Sequence, residues 1–218
     1  MPEIVVVSRN IGDEIIGVGG LLARYANNTI RFKDNERPYI IFISVGDYEL
    51  SSGEYISKQR QLDEVDKVSK LLKYNWEIIW EGRQYNPPLT EDVTQEIFNK
   101  ELLNRFKFLN PRTVISSAPF WPRFKDNDLI SEALYDLHYS YKLSFNYFES
   151  REKNDANLAV ELRPQDISLF RKALGLYNSR IMKDITLIDD ITNLYKKVGE
   201  EWNLNYAIGF YHNFGIVY

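Results

Sequence analysis

The chain has 218 residues, 44% of them hydrophobic, with 27 basic and 31 acidic side chains and a formal charge of −4. That length suits one domain with a sizeable core, and interspersed charges with a pI near 5.4 mark no face for polyanions, so nucleic acid is not an expected partner. The absence of cysteine excludes disulfides, thiolate metal sites and cysteine nucleophiles. MPEIVVVS lacks a basic leader pattern, and no segment approaches the ~18–20 uninterrupted apolar residues of a membrane span. A soluble, cytoplasmic protein is expected.

In chain order, strands and helical patterns alternate. PEIVVVS predicts a strand near 3–8, and Glu14 to Ala26 carries Ile15, Ile16, Leu21, Leu22 and Tyr25 at helical spacing. YIIFISVG predicts a second strand at 39–45, followed by a helix with the apolar stripe Leu62, Val65, Val68, Leu71 and Leu72. WEIIWEG predicts a third strand at 76–81. After the turn NPPL, a helix is expected to begin at the cap-like Thr90 and stop at Asn110-Pro111. TVISSAP predicts the fourth strand, near 112–117.

Such alternation implies right-handed crossovers and a Rossmann-like three-layer α/β sandwich with a mainly parallel sheet. The second half is less regular. DNDLISEALYDLHYSY predicts a helix, LSFNYFES a strand and NLAVELRP another extended piece. Pro164 then opens a helix carrying Ile167, Phe170, Leu174 and Tyr177, and the aromatic run from Glu201 is expected to close over the site edge or the core. One domain spanning 1–218 is expected, with residues 1–150 as its core and 151–218 packing on it.

The loop after the first strand, SRNIGDEIIGVGG, stands where α/β proteins build sites. Gly12 and Gly17 have the spacing of a phosphate loop, but Val18 and Gly19 stand where lysine and a hydroxyl residue are required. Gly17 and Gly19 begin a dinucleotide fingerprint, yet Leu22 occupies its third glycine.

The loop resembles instead the A-H-P-D-D-E-x-x-x-x-G-G motif of the PIG-L/LmbE family of zinc-dependent de-N-acetylases, with Asp13, Glu14, Gly19 and Gly20 in place. ISVGDYE resembles the family's second strand and its T-x-G-E ending, and QLDEVDKVSKLL its R-x-x-E helix, with Glu64 matching. NPRTVISSAP resembles the strand beginning R-P-D-V-V, RFKDNDLISEAL sits where H-P-D-H stands, and FRKALGLYNSR resembles K-x-x-A-L-x-x-Y-x-S-Q.

In the family, two histidines and an aspartate hold zinc while a second aspartate activates water. The resemblance puts Asn10 and Asn127 at the histidine positions, Asp13 at the aspartate ligand and Gly12 at the base. Amide oxygens are poor zinc donors, and losing a positioned base typically costs ~10²–10⁴-fold in rate. No cofactor is therefore expected; zinc or another divalent cation would need a site rebuilt on the oxygens of Asn10, Asp13, Asp126 and Asn127.

Other residues invite a role. Asp126 matches the aspartate of H-P-D-H, or caps the helix after it. His138 lies roughly three turns beyond Asn127, ~16 Å at ~1.5 Å per residue, too far to replace it. His212 is a candidate substitute, with packing among aromatics as the alternative. Glu14 is expected to orient the loop or cap backbone amides. Arg60 offers an anion contact or is a solvated helix charge. Gly17, Gly19 and Gly20 are expected to permit close helix–sheet approach, and Tyr85, Trp121 and Phe124 stand on loops where aromatics can stack on sugars. Two readings stand. The first is a homologue without zinc-dependent hydrolysis that binds an amino sugar, glycoconjugate or partner protein; the alternative is an active N-deacetylase with a rebuilt site. A homo-oligomer is compatible with either.

Overall fold

The computed structural model describes residues 2, 4–28, 36–49, 53–82, 93–116, 130, 133–134, 144–148, 158–179 and 185–213. A β-branched run forms β1 (Ile4–Ser8), buried throughout its length, as a central strand covered on both faces must be. It is followed by α1 (Asp13–Asn27), β2 (Tyr39–Val45), a short hairpin of β3 (Tyr48–Glu49) and β4 (Tyr55–Ile56), α2 (Lys58–Leu72), β5 (Asn75–Glu81) and α3 (Gln95–Leu109). After β6 (Thr113–Ser116) come β7 (Ser144–Phe148), β8 (Leu158–Glu161), α4 (Pro164–Leu174), α5 (Ile185–Glu201) and β9 (Ala207–Asn213).

Seven strands form one sheet in the order β5-β2-β1-β6-β7-β9-β8. The five from β5 to β7 run parallel, and β9 pairs antiparallel with both β7 and β8. Side chains alternate across the pleat. Val6, Ile40, Phe42 and Ile115 face a core built with α1, α2 and α4, whereas Val5, Val7, Ile41 and Val114 face Phe98, Leu102 and Phe106 of α3 together with the buried helical residues Ile130, Ala133 and Leu134. The expected sandwich of helices on both sides of a mainly parallel sheet is the one observed.

Two local readings change. The third helix begins at Gln95 with Thr94 as its cap, whose hydroxyl accepts from the Ile97 N–H at 3.3 Å, and Thr90 lies outside the described residues. Gly19 and Gly20 of α1 serve contact with the carboxyl-terminal elements rather than helix–sheet approach. A Cβ on Gly19 would stand 2.7 Å from the Phe170 ring of α4, and one on Gly20 would meet Leu162 at 2.7 Å and the Tyr195 ring of α5 at 3.1 Å. The aromatic carboxyl-terminal run becomes β9, which puts Ile208 and Phe210 in the core. The helix α5, unread in the sequence, packs against that strand.

Candidate functional site

Strand order places the switch point of the sheet beside β1, since β2 lies on one side of it and β6 on the other. Ligands of open α/β sheets bind at the carboxyl ends of strands at such a point. The loop Arg9–Gly12 leaves β1 there. Its shape is set locally: the Asp13 N–H donates to the Asn10 carbonyl at 3.2 Å, and the Ser8 hydroxyl donates to the same carbonyl at 3.1 Å. The Arg9 carbonyl accepts from the Ser44 N–H at 3.2 Å, tying the loop to β2.

Gly12 sits at φ +95°, in the left-handed region that favours glycine. It precedes the first turn of α1, and Glu14 supplies what the glycine lacks as a cap: its Oε2 accepts from the Gly12 N–H at 2.8 Å. The other carboxyl oxygen of Glu14 accepts from the Tyr177 hydroxyl and, at 3.2 Å, from the Tyr74 hydroxyl. The two phenols lie 3.3 Å apart. Glu14 is completely buried, and that burial pushes its carboxyl up to about 7 despite the hydrogen bonds that oppose the shift. Burial and the neighbouring Glu14 also hold both phenols well above their usual value.

Asp13, one residue earlier, points elsewhere. Its Oδ2 accepts from the Asn10 amide at 3.3 Å and faces the Arg9 guanidinium at 3.5 Å, with its side chain 31% exposed. Asn10 is buried, and only its NH2 group can face a carboxylate, since its carbonyl oxygen has no proton to offer. The structure thus brings Asn10 and Asp13 together. A zinc ion would need a lone pair from each residue on one centre. Here an amide proton and a guanidinium occupy the surroundings of the carboxylate, so the described part of this donor set does not fit zinc. Among the described residues, no three His, Cys, Asp or Glu side chains converge as a metal group.

A second buried carboxylate holds the adjoining segment. Glu64 accepts from the Ser179 N–H at 3.0 Å and from its hydroxyl, and it faces the Arg60 guanidinium at 3.5 Å. Arg60 also pairs with Glu54 at 3.0 Å, so two carboxylates hold the guanidinium that the sequence offered as an anion contact. Gln61 donates to the Gly46 carbonyl at 2.7 Å.

The register places His212 opposite Asn146 on β9, three strands from β1, which is ~14 Å at ~4.8 Å per strand. The backbone does not bring it to Asn10. Asp126, Asn127, His138, Tyr85, Trp121 and Phe124 lie outside the described residues. Sequence reasoning missed Arg9, Tyr74, Tyr177 and Ser179 as partners of this region. The last two had a signal, since they are the Y-x-S of the segment LYNSR.

No protein-family model matches the sequence, and no curated protein matches it. Solved structures do. A conserved protein from Thermus thermophilus superposes with a TM-score of 0.76 at 17% identity, over 100% of this chain and 97% of that one. GalB, the 4-carboxy-2-hydroxymuconate hydratase from Pseudomonas putida, gives 0.73 at 16% over 100% and 98%. N,N'-diacetylchitobiose deacetylase from Pyrococcus horikoshii gives 0.70 at 15% over 96% and 83%. At these identities the likeness concerns the fold alone: the chain shares the α/β fold of these structures, a deacetylase and a hydratase among them.

Proposed function

We propose that this chain is a deacetylase-fold protein that has lost zinc-dependent hydrolysis and uses the loop after β1 to bind an amino sugar or glycoconjugate. The observation that carries this reading is the Asp13 carboxylate, which faces the Asn10 amide and the Arg9 guanidinium, with no cluster of metal donors among the described residues. Gly12, at the position of the water-activating carboxylate, adds a second deficit: it has no group to take a proton. Its φ of +95° argues that the backbone itself has adapted to glycine. A buried amide beside a half-exposed carboxylate suits recognition of sugar hydroxyls and an acetamido group, which need acceptors and donors but no activated water. The solved neighbours include a hydratase as well as deacetylases, so the fold leaves the reaction to the site.

The test is direct. Protein purified without chelator should carry substoichiometric zinc, should fail to hydrolyse N-acetylglucosamine or diacetylchitobiose, and should bind one of them with an affinity that Asp13→Ala weakens. Stoichiometric zinc, or hydrolysis abolished by chelator and restored by metal, would instead favour the alternative reading, an oxygen-donor site on Asn10, Asp13, Asp126 and Asn127.

A further inference from the structure

We propose that a half-open pocket at the far end of α1 binds a small amphipathic monocarboxylate, with Arg24 as its anchor. The pocket measures about 360 Å³, within the range of small-molecule sites, and its apolar wall is formed by Ile4, Leu21, Ile115, Val160 and Phe210. Ile4 and Thr113, at the amino ends of β1 and β6, line it together with the last turn of α1. The loop of Asn10 and Asp13 lies at the opposite end of this helix, and Arg24 stands about 16 Å beyond Asp13 along its axis at ~1.5 Å per residue. The two places are distinct.

Its electrostatics select the ligand. Arg24 is the single charged residue in the lining, and no carboxylate pairs with it among the described residues. Its Nη1 donates to the Glu161 carbonyl, which orients the guanidinium and leaves the edge formed by Nε and Nη2 for a planar, bidentate carboxylate. The other nearby guanidinium, Arg163, is already neutralised by Asp166 at 3.0 Å. Arg163 also donates to Asn28 Oδ1 at 3.0 Å, so the Asn28 NH2 group is left as a second donor at the pocket rim. One uncompensated positive charge above an apolar wall matches one carboxylate with a hydrocarbon body; a phosphate would bring more charge than the lining offsets.

Octanoate is a suitable probe. Titration of the intact protein below the micelle-forming range, followed by amide NMR, should give saturable shifts at Ile4 and Leu21 to Asn28 but not at residues 9–14. Octanol and the variant Arg24→Met, which keeps the aliphatic stem, should each weaken binding by about 10- to 100-fold, the loss expected for a charge-assisted pair. An arginine that served only to offset the helix dipole would leave octanoate and octanol equivalent. That equivalence, unchanged binding in Arg24→Met, shifts centred on residues 9–14, or no saturable shift at all would each overturn the proposal.

Discussion

Asp13 and Glu14 are neighbours in sequence and opposites in environment. Asp13 is part-exposed and paired with Arg9 and Asn10, whereas Glu14 has no exposed surface and accepts from Gly12, Tyr74 and Tyr177. One helical step turns successive side chains by ~100°, so the first acid faces the loop and the second faces the core between α1, α2 and the segment after α4. Glu14 is tied to the framework by three hydrogen bonds, while Asp13 meets the Asn10 amide and the Arg9 guanidinium at the loop. Two acids adjacent in sequence thus take a structural and a loop-facing role within one turn.

The largest test of that contrast is Glu14→Ala. It leaves two buried hydroxyls and the Gly12 N–H without their acceptor and opens a cavity, so a loss of about 3–5 kcal/mol in denaturant unfolding is expected. A loss below ~1 kcal/mol would remove the distinction.

Acidity sharpens it next. With the folded carboxyl pushed up to about 7 from an ordinary 4.5, the folded chain holds a proton that the unfolded chain has released across that window. Stability from this group is therefore fully present below pH 4.5 and falls as pH rises to 7, by about 3 kcal/mol at ~1.36 kcal/mol per pH unit. Glu14→Gln, which cannot titrate, should flatten this slope in urea midpoints measured across the same range.

Gly12→Asp, which restores the base in sequence, should cost about 1–3 kcal/mol because the backbone there stands at φ +95°. Combined with Asn10→His and Asn127→His, it tests whether the frame accepts metal: calorimetry should register tighter zinc binding in the double histidine variant, with hydrolysis requiring the aspartate as well. The smallest effect belongs to Asp13→Ala. Its half-exposed ion pair should contribute no more than ~1 kcal/mol to stability, so its consequence should appear in sugar binding and hardly in unfolding.

Much of this was legible in the chain. The run IVVV and the strand YIIFISV announce buried parallel strands because hydrophobicity is continuous where both faces are covered, whereas WEIIWE, interrupted by glutamates, forms the half-buried edge strand β5. The motif set Asn10 and Asp13 in one loop, and the structure brings their side chains into contact. Thr94 displaced Thr90 as the cap because several residues before an apolar stripe can end a helix, and only backbone geometry selects one.

The sequence by itself determined the alternation of strands and helices and the residue types offered by the loop after β1, because those depend on local pattern and composition. Tertiary structure alone decided that Tyr74 and Tyr177 meet at Glu14 from 60 and 163 positions away, and that β9 enters the sheet antiparallel between β7 and β8. The reason is physical. A local pattern states which face of an element is apolar, but burial, raised acidity and shared hydrogen bonds arise only when faces distant in sequence are packed together and water is excluded from between them.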